Sequence, residues 1–378
     1  MIKIKIVIAP DSFKGSVTAK EAALSIEKGI KNTFSEAETV LIPLADGGEG
    51  TMENLVSATN GHKIARVVTG PLGKSVEAHF GVLGDNATCI IEMASASGLD
   101  LIVPEERDPL RATTYGTGEL IKHALDDGYR NFVLAIGGSA TNDGGVGMLQ
   151  ALGLEVIDET GKEIGFGGGE LKHIDKISTE HFDQRIQESQ FLIASDVENP
   201  LVGTNGASHV FGPQKGATEE MVLELDKNLI HWANLVETEK NIRLHELPGA
   251  GAAGGIGGAF QAFFPSKMER GIDVVINYTK LEEKLQGANL VVTGEGQVDF
   301  QTAFGKTPMG VAQMAKEQNI PTIILAGSIG ENIQTLYKYG VIGVHSIINR
   351  PMSLEQAMEE ADHLLEHAAE QVCRTYFL

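Results

Sequence analysis

Short β-branched apolar runs, amphipathic stretches and glycine-rich polar loops alternate along both ends of the chain. Residues 4–9 and 39–44 read as buried strands, and 18–32 and 51–59 carry the apolar spacing of helices. Thr18 followed by Glu21 has capping-box spacing, which puts the amide-rich end of the first helix just after the loop at 11–16. Toward the C-terminus the same alternation returns. Strands are predicted at 289–293, 322–326 and 342–347, and helices at 306–318, 331–339 and 354–373. Two strand-helix units at the start and three at the end sum to a five-stranded parallel sheet with helices on both faces, a flavodoxin-like arrangement. In the middle, 87–93, 131–136 and 190–194 read as strands among helices and long glycine loops. The predicted class is therefore α/β with two domains: a flavodoxin-like one from 1–65 and 287–378, and an inserted mixed α/β one from 66–286. The cleft between them is the expected ligand site.

Composition narrows the function. A chain of 378 residues with 42% hydrophobic content suits two cores without staples. Its 45 glycines are clustered, which lets backbone amides approach a ligand. A formal charge of −21 repels nucleic acid and anionic membranes, so neither partner is expected. A small anionic substrate still fits if a few cations, amide nests and a divalent metal reverse the potential locally. Cys89 and Cys373 make no disulfide framework, no run is long enough to span a bilayer, and the first residues are too short and alternating for a signal. A cytoplasmic protein is expected.

Four clusters of acid, lysine and hydroxyl follow predicted strands, where ligands bind in open α/β sheets. Asp11-Ser12-Phe13-Lys14-Gly15-Ser16 could clamp phosphoryl oxygens at a helix N-terminus; the alternative is a plain turn capped by Ser16 or Thr18. Asp46 and Glu49, in Asp46-Gly47-Gly48-Glu49-Gly50, could hold Mg²⁺, or merely favour a helix dipole. Glu295 and Asp299 form a second acidic pair after a strand, followed by Thr302 and Lys306. Ser139, Thr141, Asn142 and Asp143 sit among four glycines at 137–145, an anion nest or a tight strand-helix junction. Threonine stands at 141 where a serine-hydrolase elbow needs glycine. Asp196 is placed like a general base or a turn former, and Lys215 faces the same region or solvent. Together they point to an enzyme handling phosphate and metal.

Several literal matches lose on context. Gly249-Ala250-Gly251-Ala252-Ala253-Gly254 spells a dinucleotide fingerprint, but Pro248 and a helical region precede it instead of a strand. Close packing or a nucleotide-facing turn fits those glycines better than NAD. Gly73-Lys74-Ser75 and Gly305-Lys306-Thr307 echo a Walker loop, yet Val68 and Phe300 occupy its first glycine position. His363 and His367 share a helix face with Glu359 and Glu366 and read as solvated.

Taken with Asp196-Val197-Glu198-Asn199-Pro200-Leu201, Gln214-Lys215-Gly216-Ala217 and Gly294-Glu295-Gly296, these motifs resemble bacterial glycerate kinases, whose flavodoxin-like domain is interrupted by a restriction-enzyme-like one. The likeness spans essentially the whole chain. One departure is Gln297, where the family often has arginine before Val298-Asp299; Lys306 could supply that cation. The resemblance implies ATP- and Mg²⁺-dependent phosphorylation of D-glycerate, more at the 2-hydroxyl than the 3-hydroxyl. On that reading Asp196, or second Asp299, is the base, and Lys14, Lys215 and Lys306 offset charge on the moving group. Asp46, Glu49 and Glu295 are the Mg²⁺ candidates. Asp11, Ser12, Ser139, Thr141, Asn142 and Arg111 are the substrate candidates, and Gly249, Gly251, Gly254, Gly294 and Gly296 the nucleotide candidates. Assembly is left open, a homodimer included. A kinase of another small hydroxy acid is the nearer alternative, and an NAD-linked oxidoreductase or a non-catalytic binding protein the remoter one.

Overall fold

The computed structural model describes residues 4–45, 47–48, 50–304 and 306–378. In chain order the strands are β1 (Lys5–Ile8), β2 (Glu38–Leu41), β3 (His62–Thr69), β4 (Ser75–Val82), β5 (Thr88–Glu92), β6 (Asn131–Ala135) and β7 (Glu155–Ile157). They continue with β8 (Lys176–Ser178), β9 (Gln190–Ala194), β10 (Ser266–Glu269), β11 (Leu290–Val298), β12 (Thr322–Ile329) and β13 (Val341–Ser346). Two compact units result: Met1–Asp46, Glu53–Thr59 and Arg270–Leu378 form one, and Gly47–Met52 with Asn60–Glu269 the other.

In the first unit both chain ends build one parallel sheet in the order β2-β1-β11-β12-β13. Counted within the unit this is 2-1-3-4-5, the flavodoxin-like order, whose switch point lies between β1 and β11. Strand alternation separates two apolar layers. Ile6, Ile8, Leu290, Val292, Ile323 and Leu325 pack on the Ala19–Thr33 and Ala361–Phe377 helices through Ile26, Ile30, Leu364 and Leu365. Val298, Ile324 and Ala326 face Met309 and Ala312 of the Thr307–Glu317 helix. Thr18 and Glu21 form the full capping box that their spacing predicts.

The first-face helices approach most closely at Gly29, where a Cβ would lie 2.1 Å from the Glu366 carbonyl oxygen. Gly29→Ala is therefore expected to cost about 1–3 kcal/mol by overpacking. A thermal melt of the variant checks this; an unchanged midpoint would mean the helices part without penalty.

Two elements depart from expectation. The predicted 354–373 helix is two, Leu354–Glu359 and Ala361–Phe377. Beside the break the Ser16 hydroxyl donates to the Met358 carbonyl at 2.6 Å, so a carbonyl of the first piece is engaged from the other end of the chain. Residues 331–339 form a 3₁₀ segment, Ile333–Tyr339, entered through left-handed Asn332.

The second unit holds a six-stranded mixed sheet, β10-β9-β6-β5-β4-β3. β5, β6, β9 and β10 are mutually parallel, so their C-terminal ends open on one edge, while β3 and β4 add antiparallel. Fully buried Trp232, stacked on Phe263, anchors its core with Phe80, Phe132, Phe191 and Phe260. The unit boundaries fall at 60 and 270 instead of 66 and 286. β3 pairs with β4 along its whole length and so belongs to the insertion, whereas the Gly271–Thr279 helix packs Ile272 against Gly310 of the first unit.

Candidate active site

At the switch point of the first unit β1 runs into Asp11, while Glu295, expected after a strand ending at 293, lies inside β11, which continues to Val298 because it pairs with β12 that far. The Asp11 amide donates to the Gly294 carbonyl at 2.8 Å, which holds the end of β1 beside this part of β11. One Asp11 oxygen accepts from the Ser12 amide at 2.6 Å and the other from the Thr307 hydroxyl at the start of the Thr307–Glu317 helix. Buried Glu295 accepts from the Thr302 hydroxyl at 2.8 Å and pairs with Lys306 at 3.3 Å. Asp11, Glu295, Thr302, Lys306 and Thr307 thus converge beside a helix N-terminus, a layout suited to anionic oxygens.

The loop after β1 is closed on itself. The Phe13 amide donates to the Val17 carbonyl at 2.9 Å, buried Phe13 roots the loop, and Lys14 stands exposed at its tip. Gly294 packs where a Cβ would lie 2.3 Å from the Leu325 carbonyl oxygen, and Gly296 runs beside the Lys14 amide. Gln297 is exposed and its amide reaches Asp299 at 3.4 Å.

In the second unit the ends of β5, β6 and β9 carry Glu92, the 137–145 loop and Asp196. Glu92 accepts from the Met52 amide at 2.7 Å, and Gly137 lies so close to Gly48 that a Cβ would sit 3.0 Å from its Cα. Asp46 and Glu49 lie outside the described residues. Asp196 is exposed at the end of β9. Within the loop, Asp143 is buried and accepts from the Thr114 amide and hydroxyl at 2.8 and 2.9 Å and from the Gly145 and Gly147 amides at 3.1 and 3.3 Å. Burial pushes its carboxyl up, and the donors partly offset this.

Lys215 is the least expected of these residues. It is 1% exposed, and its ammonium donates to the Ser139 hydroxyl at 2.8 Å and the Thr141 carbonyl at 2.6 Å. Desolvation brings its pKa down to about 7, opposed by the charge of Asp143. So placed, Lys215 latches the 137–145 loop. Asn142 donates to the Ser208 hydroxyl at 2.9 Å, and the Thr141 hydroxyl is buried without a partner among the described residues.

Gly249, Gly251 and Gly254 are buried packing residues. A Cβ on Gly251 would lie 2.1 Å from the Pro200 carbonyl oxygen, and one on Gly254 2.0 Å from that of Thr141. The segment before them is turn, not strand, so the fingerprint has no dinucleotide context. Arg111 is exposed on the wall of a separate cavity. Sequence reasoning missed Glu92 and Thr307. Glu92 had one usable signal, an acid ending an otherwise apolar strand; Thr307 had only its place after Lys306.

Acids and lysines at the switch point of an open parallel sheet mark a phosphate-handling α/β enzyme. Comparison with known proteins gives the class its family. The sequence model of the Glycerate kinase family matches residues 6–377. A glycerate kinase from Halalkalibacterium halodurans is 48% identical over 97% of both chains, and the glycerate 2-kinase of Escherichia coli K12 is 46% identical over 98% of both. A Salmonella typhimurium LT2 crystal structure assigned to glycerate kinase 2 superposes with a TM-score of 0.88 at 46% identity, covering 99% of this chain and 98% of that one. The chain belongs to the glycerate kinase family, and it is an ATP-dependent kinase. Among the described residues no helix is long and apolar enough to cross a membrane.

Lys215→Met separates a latch from a stability element. A lysine whose pKa falls from 10.5 to about 7 binds fewer protons folded than unfolded, so at this site stability rises with pH between those values. The variant should lose that rise and turn over about tenfold or more slowly because the loop shifts. Melts from pH 7 to 10 beside a turnover assay check the split.

Proposed function

We propose that this kinase transfers the γ-phosphoryl group of ATP to D-glycerate, at the 2-hydroxyl, releasing ADP and 2-phosphoglycerate. The observation that carries this reading is the convergence of Asp11, Glu295, Lys306 and Thr307 at the switch point. Its relatives' names supply the substrate, and the Escherichia coli relative the choice of hydroxyl.

Lys14 and Lys306 neutralise charge on the phosphoryl oxygens, and the amides of Gly294 and Gly296 line the nucleotide's path. Glu295 has the donor type that Mg²⁺ takes alongside phosphate oxygens and water, and Asp46 and Glu49 are the other acids proposed for it from the sequence. The bound cation would offset charge between the phosphates. Thr302 and Lys306 already orient both Glu295 oxygens, so this acid is held in place before ligand arrives.

Asp196 accepts the proton of the attacking hydroxyl, with Asp299 the alternative base. Ser139 and the amides around Thr141 and Asn142 hold the glycerate carboxylate, and Asp11 and Ser12 contribute hydrogen bonds. Lys215 acts through the loop it latches. The setting is cytoplasmic, in keeping with two buried, unpaired cysteines.

Incubation with ATP, Mg²⁺ and D-glycerate, followed by phosphorus NMR of the product, tests this. 2-Phosphoglycerate is expected. 3-Phosphoglycerate would move the reaction to the other hydroxyl, and no phosphoglycerate at all would overturn the reading.

A further inference from the structure

Lys74, Arg107 and Arg111 share a cavity of about 490 Å³ in the inserted unit with Glu105, Glu106 and Asp108. Three cations beside three acids would ordinarily pair. Here, among the described residues, no ion pair or side-chain hydrogen bond involves Lys74, Arg107 or Arg111. The acids are turned to other uses: Asp108 accepts the Leu110 amide at 3.0 Å, and Glu105 and Glu106 are exposed on the Pro104–Glu106 turn. The Arg107 Nε is buried with no partner, a donor whose desolvation is uncompensated until an acceptor arrives. In a chain of net charge −21, a hollow whose three cations match its three acids in number, and are not ion-paired to them, is locally far less negative than the chain as a whole.

The cavity is also braced. Gly216 adopts φ +92° directly against Arg107, where a Cβ would lie 2.7 Å from the Arg107 carbonyl oxygen. The preceding residue is Lys215, anchored on Ser139 and Thr141. Arg107 is thus pinned through one turn to the loop assigned to the glycerate carboxylate.

We infer that this cavity seats a small organic anion through carboxylate or phosphate oxygens, forked by Arg107 and Arg111 with Lys74 adding charge. Only the choice of glycerate and its phosphate ester as probes rests on the proposed function.

Calorimetric titration of the full chain with D-glycerate and, separately, 2-phosphoglycerate tests it, wild type against Arg107→Gln/Arg111→Gln. At least one probe should bind the wild type and bind the double variant about tenfold or more weakly. If glycerate is the probe lost and its KM rises in step, the cavity is the substrate's seat. If only the phosphate ester is lost and KM holds, it is a seat for product or a like-charged effector. Unchanged affinity for both probes, or no binding of either to the wild type, would overturn the inference. Should the double variant not fold, exposed Lys74→Gln serves instead, with a loss of about threefold expected and none contradicting. Absence of kinase turnover would leave the binding comparison intact, so the two failures are distinguishable.

Discussion

Asp143→Ala is expected to destabilise the inserted unit by about 3–5 kcal/mol, the loss typical when one side of a buried charged network is removed. The carboxylate accepts from the Thr114 amide and from the Gly145 and Gly147 amides at the entry of the Val146–Ala151 helix. Alanine would strand these donors in a packed interior, where Gly147 already lies so that a Cβ would meet the Thr113 hydroxyl at 2.2 Å. Urea titration should show a lower midpoint with an unchanged slope. A loss under about 1 kcal/mol would mean the loop finds other acceptors. Asp143→Asn should fall between wild type and the alanine variant, since an amide offers one acceptor oxygen and turns a donor toward donors.

Asp196→Asn should lower turnover on the order of 100-fold while the melting transition stays within a few degrees. The side chain is exposed at the end of β9, so the change disturbs little packing. Asparagine keeps the shape and loses the ability to take a proton, which isolates the chemical role. Rates of ADP formation check it, and a near-normal rate would reassign the base to Asp299.

The end-built sheet was legible because its strands lie in short apolar, β-branched runs ended by proline or glycine, and its long helices are amphipathic. The Thr51–Thr59 helix and β9 match their expected spans residue for residue. Elements without such contrast were missed. β10 reads Ser-Lys-Met-Glu, with no apolar run, and exists because its backbone pairs with β9. β3 carries exposed Val67 on an outer strand, and among the described residues its only strand partner is β4.

The site was legible in part, since acids and lysines announce themselves while burial does not. Nothing around Lys215 distinguishes it from a surface lysine; its role comes from residues more than seventy positions earlier. Beside the break near Glu360, the Met358 carbonyl accepts from Ser16, at the far end of the chain. The glycines at 249, 251 and 254 show the reverse error. A literal motif match there reflects backbone passing close to backbone.

The most direct measurement is glycerate-dependent ADP release by the full chain beside Lys306→Met and Asp11→Asn, two variants at the switch point. The wild type should release ADP only when both ATP and D-glycerate are present, and each variant should fall at least about tenfold at an unchanged melting temperature. Variants that match the wild type, or a wild type whose ADP release ignores glycerate, would contradict phosphoryl transfer at this site.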